Sequence, residues 1–191
     1  MPASHEPPTV TLPQPHGEPP MSIARDVIMA PARLTLGYGE RLLTDIRPDQ
    51  FARTPNGVQT NHPAWVFGHL SVYPDAFILP LIGRPELAAP DESLHPLFGH
   101  DSQCRDDPNG EIYPSMKEIT ARYLSRTDAA LTALAEVDDA ALLAATPESN
   151  PLRERLPTVG SVVNFMLGPH SMMHLGQVSA WRRMMGLGPC M

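Results

Sequence analysis

The sequence predicts an all-α protein made of four main helices and one long irregular loop, and three observations support this fold class. In four segments, apolar residues recur every three or four positions, which is the period of an α-helix. Ser115 and Thr158 are good helix-capping residues and stand directly before two of these segments. Residues 83–114 hold five prolines and seven acidic residues with little apolar periodicity, which predicts a loop of unusual length.

The first helix is predicted to run from Ser22 to about Ile46 because its apolar side chains follow the helical period. Pro31 lies inside it and removes a backbone hydrogen bond, so the sequence predicts a kink or a later start at this point. The side chains expected to face the core are Ile23, Val27, Ala30, Leu34, Tyr38 and Leu42.

The second helix is predicted from about His62 to Leu81, with the side chain of Asn61 capping its start and a bend near Pro74. Its expected inward face consists of Trp65, His69, Val72, Tyr73, Ala76 and Pro80. His69 is therefore predicted to be buried, where a polar side chain needs a partner. Asp75 lies off this face and is expected to be solvated.

The other two main helices carry clear start signals. The third begins at a capping box formed by Ser115 and Glu118, and a short helix capped by Asp138 follows it. The fourth begins after Thr158 and ends before Gly186. Its expected inward face consists of Val159, Val162, Met166, His170, His174, Gln177, Trp181 and Met184.

Composition and charge argue against several classes of protein. The chain has 14 Lys and Arg against 21 Asp and Glu, and its net charge of -7 argues against nucleic acid as a partner. Cys104 and Cys190 are far apart, which predicts two free thiols in a reducing cytoplasm and no disulfide framework. No apolar run approaches the roughly 20 residues that span a bilayer, so we expect a cytoplasmic protein without a membrane partner.

The length of 191 residues and a hydrophobic content of 42% fit one domain, predicted over residues 21–191. Residues 1–20 hold seven prolines and almost no periodic apolar residues, which predicts a disordered proline-rich tail. This tail either stays extended and mobile or docks on a neighbouring subunit, and the sequence leaves both alternatives open.

Three histidines form the candidate site. His170 and His174 are four residues apart on one helix and share a side of it, while His69 lies on the inward face of a second helix. Three imidazoles without a thiolate favour zinc or nickel over magnesium or calcium, which prefer oxygen ligands. Three protein ligands also leave one position open, as in catalytic zinc sites. A fourth ligand from His95 or His100 would instead indicate a structural site, although both are expected to be ordinary exposed histidines.

The pattern W-x-x-x-H at residues 65–69 and the pattern H-x-x-x-H-x-G-Q at residues 170–177 resemble the DinB-like (DinB/YfiT) superfamily. The resemblance covers about residues 22–188. It implies an antiparallel four-helix bundle whose three motif histidines, His69, His170 and His174, bind a metal, frequently in a homodimer. Members of the family often carry an acidic residue after the first histidine of the pair, whereas this chain has Ser171.

The resemblance also implies a choice of functions acting on a small-molecule substrate that the sequence does not identify. Similar proteins include transferases and isomerases that use a low-molecular-weight thiol, and we favour such a metal-dependent S-transferase or isomerase. The alternatives are a metal-dependent hydrolase and a non-catalytic, metal-stabilised binding or stress-response protein. Catalytic residues stay unassigned, because Tyr73 and Gln177 fit proton transfer and also fit helix packing. The loop over residues 83–114 is either a lid or wall of the site or an insertion that is decorative or contacts another subunit.

Overall fold

A computed structural model describes residues 22–190, and the predicted tail of residues 1–20 lies outside this range. The all-α fold class is confirmed for the described part of the chain, which contains helices, one isolated bridge between Ala145 and Thr158, and no named strand. A search of the same residues finds no helix that combines the length and the apolar character needed to cross a membrane.

Helix α1 spans Ile23–Leu42, and the Ser22 hydroxyl caps it by accepting a hydrogen bond from the Arg25 backbone N–H. The expected later start is wrong, because Pro31 lies inside the continuous helix. The expected inward face is also wrong except at Leu42, which is fully buried. Three of its members are largely exposed, namely Ile23 (73%), Val27 (63%) and Leu34 (74%). The buried face consists of Ile28, Met29, Ala32, Thr35, Gly39 and Leu42.

The reason for this reversed face is that α1 is apolar on two sides, so periodicity alone does not select one of them. Close packing against the third main helix makes the selection. A Cβ atom at Gly39 would lie 2.5 Å from the hydroxyl oxygen of Tyr123, so the glycine makes room for the end of the Tyr123 side chain against the backbone of α1. The side of α1 that bears Gly39 therefore faces inward.

The second main helix begins as α2 at Pro63–Tyr73, continues as a π-helical segment at Pro74–Ile78 and ends as α3 at Leu79–Leu81. The predicted extent is confirmed, but the predicted Asn61 cap is wrong. Nδ1 of His62 caps the helix instead, accepting the Trp65 backbone N–H at 3.2 Å. The π-type pairing begins at a proline, which lacks the N–H that regular helical pairing requires.

The long crossover contains two single 3₁₀ turns, Pro85–Leu87 and Glu92–Leu94, and the short helix α4, His95–Phe98. Its buried anchor is the ring of Phe98, which is 1% exposed. This ring lies so close to Gly68 of α2 that a Cβ atom there would overlap it. The crossover is therefore seated against the backbone of the second helix.

The third main helix, α5, spans Met116–Leu134 and starts at the predicted capping box of Ser115 and Glu118. The short helix α6 spans Asp139–Leu143 and is capped by Asp138, as expected. The fourth main helix begins as α7 at Val159–Phe165, passes through a second π-helical segment at Met166–His170 and ends as α8 at Ser171–Met184. Both helices that carry candidate ligands thus contain a π-helical segment, a feature frequent at functional sites.

The core consists of two buried clusters of apolar side chains. One contains Ile78, Leu79, Ala130, Leu134, Val162 and Met166, and the other contains Phe51, Trp65, Phe67, Tyr123, Leu175 and Trp181, among others. Helix α2 packs on α4, α5 and α8, and α1 packs on α5 and α8. His69 follows Trp65 of one cluster by one turn and His170 follows Met166 of the other, so both clusters adjoin the candidate site.

The end of α8 is fastened to the end of α1 by a buried arginine. Arg182 is 2% exposed and donates to the backbone oxygens of Leu42, at 2.9 Å, and Thr44. Trp181 donates its indole N–H to the Arg53 carbonyl at 2.7 Å. The arginine satisfies carbonyl groups at the end of α1, and the three bonds together hold the histidine-bearing helix in place.

Candidate metal centre

His69, His170 and His174 come together in one cluster, which is called the histidine cluster below. One nitrogen from each ring lies within 4.8 Å of the corresponding nitrogens of the other two, an arrangement that can hold a metal ion. The ring centroids of His69 and His174 are 4.5 Å apart, those of His170 and His174 4.8 Å, and those of His69 and His170 5.6 Å. Two helices distant in sequence therefore present their imidazoles to one point.

The crossover orients His69. Nδ1 of His69 lies 2.8 Å from the Phe98 carbonyl oxygen. Because a carbonyl only accepts hydrogen bonds, Nδ1 carries the proton and Nε2 keeps its lone pair free for a ligand. Trp65 stacks on the His69 ring at 4.7 Å and donates its indole N–H to the Ser102 hydroxyl at 3.0 Å. These contacts place Phe98 and Ser102 of the crossover behind two rings of the site.

The amide of Gln177 orients His174. Its Oε1 lies 3.3 Å from Nδ1 of His174 and also accepts a hydrogen bond from Nδ2 of Asn61 at 2.9 Å. Oε1 is an acceptor, so the proton of His174 lies on Nδ1 and the lone pair of Nε2 is free. Asn61, expected as a helix cap, thus supports Gln177 behind a candidate ligand.

His170 is the member of the cluster with an unsatisfied nitrogen. Its ring interacts with the Met166 carbonyl, but its buried Nδ1 forms no hydrogen bond of normal geometry. The rings of Tyr73 and Phe165 pack around it at centroid distances of 5.0 and 5.8 Å. A buried nitrogen without a partner is costly, and a bound ion that engages this ring would offset part of that cost. The donors therefore fit a metal that accepts imidazole ligands.

Burial keeps the three rings uncharged. Burial, followed by the neighbouring His174, lowers the pKa of His69 to about 3 and that of His170 to about 4. Burial also lowers the pKa of His174, against the opposing effect of Gln177. A neutral imidazole is the form that donates its lone pair to a metal, so the cluster is ready to bind at neutral pH.

The other histidines near the site have different roles. His62 is fully buried, and both of its nitrogens are used, Nδ1 by the Trp65 N–H and Nε2 by the Arg105 carbonyl at 2.8 Å. His95 and His100 are exposed, as expected, and neither belongs to the cluster. The structural role of His62 was not predicted, although its position directly before Pro63 at a helix start is the signal that identifies a cap.

A cleft of about 600 Å³ opens beside the histidine cluster. All three histidines line it, together with apolar side chains from α2, α7, α8 and the connection between α6 and α7. The rings of Trp65, Tyr73, Phe77 and Phe165 form much of its wall. A second, smaller cavity of about 170 Å³ shares Tyr73, Phe77 and His100 with the cleft but is not lined by the cluster.

The sequence of this chain also matches a known family. A family model described as the DinB superfamily matches residues 37–178. The chain belongs to the DinB superfamily. The matched range contains all three members of the histidine cluster and Gln177, while a comparison with curated proteins finds no match.

In this DinB-superfamily chain Ser171 follows the first histidine of the pair. Its hydroxyl donates to the Met166 carbonyl at 2.7 Å, across the second π-helical segment. That segment contains Pro169, which cannot donate a backbone hydrogen bond. Ser171 therefore satisfies a local carbonyl group of the helix that carries the ligands.

Asp75 is buried, so the expectation that it is solvated is wrong. Its carboxylate pairs with Arg126, at 2.6 Å, and with Arg122, at 2.9 Å, and accepts the Ala89 backbone N–H at 3.0 Å. Arg126 also donates to the Leu87 carbonyl at 2.7 Å. Asp75, Arg122 and Arg126, called the Asp75 cluster below, join the first π-helical segment, α5 and the crossover. The spacing of the two arginines by one helical turn was the available signal.

Proposed function

We propose that His69, His170 and His174 bind one divalent metal ion, zinc or nickel, and that this DinB-superfamily protein is a metal-dependent enzyme. The observation that carries the proposal is the convergence of three neutral imidazoles at the wall of a large cleft. Within residues 22–190, no fourth histidine, cysteine, aspartate or glutamate joins this group. Three protein ligands beside a cleft are the arrangement of catalytic sites, whereas structural zinc sites use four.

The surrounding residues have separate roles in this proposal. The Phe98 carbonyl orients His69, and Gln177 orients His174. Trp65 and Phe165 cover the rings and keep water from their faces. When bound, the ion would supply Lewis-acid chemistry and lower the pKa of a coordinated thiol or water. The Tyr73 hydroxyl stays protonated, because burial and then the charge of Asp101 raise its pKa, so Tyr73 can donate a proton or a hydrogen bond in the cleft.

For the reaction, we propose thiol-dependent S-transfer or isomerisation of a small molecule with a low-molecular-weight thiol. The apolar cleft supports a thiol over a water nucleophile, because it favours an organic group beside the histidines over solvent. Fold alone does not determine chemistry, so the reaction needs its own test. In that test, the absorption of cobalt-substituted protein changes when a small thiol is added. If thiols leave the spectrum unchanged and an activated ester is hydrolysed, the hydrolase alternative replaces this one.

We further propose that the four main helices form the antiparallel four-helix bundle that the resemblance implies, and that the protein is a cytoplasmic homodimer. The exposed apolar side chains Ile23, Val27 and Leu34 of α1 support a contact between two copies. Sedimentation of the wild type and of Leu34→Lys tests the dimer. Val58→Lys, which replaces a 42% exposed valine outside α1, is the control.

Elemental analysis of purified protein tests metal binding. We expect about one equivalent of zinc or nickel in the wild type, and nearly none in His174→Ala, because two imidazoles hold an ion weakly. The control is His95→Ala, which removes an exposed histidine outside the cluster and should keep full occupancy. Full occupancy in His174→Ala would exclude this set of ligands.

A further inference from the structure

The walls of the cleft beside the histidine cluster are almost entirely apolar. Six residues illustrate this surface: Trp65, Phe77, Leu152, Phe165, Met166 and Met173. The polar groups in the lining are the three clustered histidines, Tyr73 and His100. A volume of about 600 Å³ accommodates a small organic molecule, and such walls contribute affinity in proportion to the apolar area they cover.

The charges around the cleft do not favour an anion. Among the described residues that line it, none is Lys, Arg, Asp, Glu, Asn or Gln. The negative charge of Asp101 reaches the cleft, because it contributes to the raised pKa of Tyr73 after the larger effect of burial. Arg122 lines the smaller neighbouring cavity, but its guanidinium is bound to Asp75 and to the Ala89 carbonyl. In metal-free protein, a carboxylate in the cleft would lose its hydration without gaining a cation.

We propose that the cleft binds an uncharged small molecule with an apolar body of about one or two aromatic rings and a single donor atom directed at the histidine cluster. Carboxylated thiols are disfavoured. The direction of the donor atom rests on the proposed function, whereas the preference for an uncharged apolar body rests on the cleft walls alone. The two parts can therefore be tested separately.

The first experiment uses protein treated with a chelator. The probe is N-phenyl-1-naphthylamine, a neutral dye that fluoresces in apolar surroundings. We expect saturable binding of one dye per chain, and displacement by benzyl mercaptan at a concentration at least about tenfold lower than by mercaptoacetate, since an apolar pocket distinguishes ligands by their apolar surface. Non-saturable binding, or equal displacement by the two thiols, would overturn the inference.

A matched pair of variants tests whether the dye and the thiols bind in this cleft. Met173 lines the cleft, whereas the neighbouring Met172 does not, and both are exposed on α8, at 56% and 43%. Met173→Lys places a cation at the cleft, so we expect the ratio of benzyl mercaptan to mercaptoacetate affinity to fall roughly tenfold. Met172→Lys should leave that ratio unchanged. Equal effects of the two variants would show that the dye and thiols bind elsewhere.

The second experiment titrates the same two thiols into cobalt-substituted wild type and variants and follows the visible absorption. The same order of affinities is expected, with a spectral change that shows the donor atom near the ion. If the wild type holds no metal but the dye experiment gives the expected order, the proposed metal function is wrong and the apolar specificity stands. If the protein holds metal and prefers mercaptoacetate, the inference is wrong and the metal site stands.

Discussion

The histidine cluster and the Asp75 cluster each contain a residue of the second main helix, but they differ in whether the protein itself satisfies their buried polar groups. Asp75 is saturated by its own chain, because two arginines and a backbone N–H occupy its oxygens. The histidine cluster keeps unpaired lone pairs beside a cleft. Buried polar groups that the chain itself satisfies support the fold, whereas those left unsatisfied next to a cavity are the ones to examine for a ligand.

The largest effect on stability is expected in the saturated cluster. Asp75→Ala leaves two partly buried guanidinium groups without a counter-charge, so we expect the free energy of unfolding to fall by about 3 kcal/mol. The matched control is Asp101→Ala, because that carboxylate is 97% exposed and should change stability by less than about 0.5 kcal/mol. Urea unfolding measures both. Equal effects would mean that the ion pairs of Asp75 are solvated and do not clamp the crossover.

His62 and His170 allow the same comparison between two histidines, because both nitrogens of His62 have hydrogen-bond partners and Nδ1 of His170 has none. Removing His62 in His62→Ala breaks two hydrogen bonds and opens a buried space, so we expect a loss of about 2 kcal/mol with metal content unchanged. His170→Ala should cost about 1 kcal/mol in metal-free protein, because Nδ1 has no partner to lose, and should abolish metal binding. Urea unfolding of chelator-treated protein and elemental analysis give the two results. If His62→Ala lost the metal and His170→Ala kept it, the structural role assigned to His62 and the metal-binding role assigned to His170 would be reversed.

A smaller effect is expected from pH. Burial lowers the pKa of His62, and it lowers that of His69 to about 3, below the ~6.5 of an unfolded histidine. Above about pH 7.5 neither state binds the proton, so this contribution to stability is complete. Between pH 7.5 and 5.5 the unfolded chain takes up protons that the folded chain does not, so metal-free protein becomes less stable as pH falls.

Urea unfolding of chelator-treated protein across this range measures the loss, which should be at most about 1.4 kcal/mol per pH unit for each group. His62→Gln removes one of these groups and should make the dependence shallower. A stability that stays constant down to pH 5.5 would contradict the uncharged state of both rings.

The sequence predicted the main helices and the inward placement of the three histidines because both depend on local spacing. Periodicity places His170 and His174 on one side of a helix, and it places His69 on a buried face. The Asp75 cluster depends on partners 47 and 51 residues away, and no local pattern pairs them. The buried side of α1 depends on Gly39 and Tyr123, which meet only in the folded chain.

The cleft could not be predicted for a related reason. Leu152 belongs to the connection before α7, and only the packing of the chain brings it beside Trp65 and Phe77. The predicted bend near Pro74 corresponds to a π-helical segment, whose type the proline alone does not specify. Local rules thus identified the candidate ligands, and non-local packing determined the space in front of them.

The contact between Gly68 and Phe98 positions the crossover so that it orients His69, a residue of α2. The same residue that fills the gap above Gly68 also supplies the carbonyl that fixes the proton of His69. A methyl group at position 68 would push that carbonyl away and free the imidazole to rotate or change tautomer. The proposed metal site therefore depends on a glycine that is not itself a candidate ligand, and a larger residue at position 68 would disturb His69 while every histidine stayed in place.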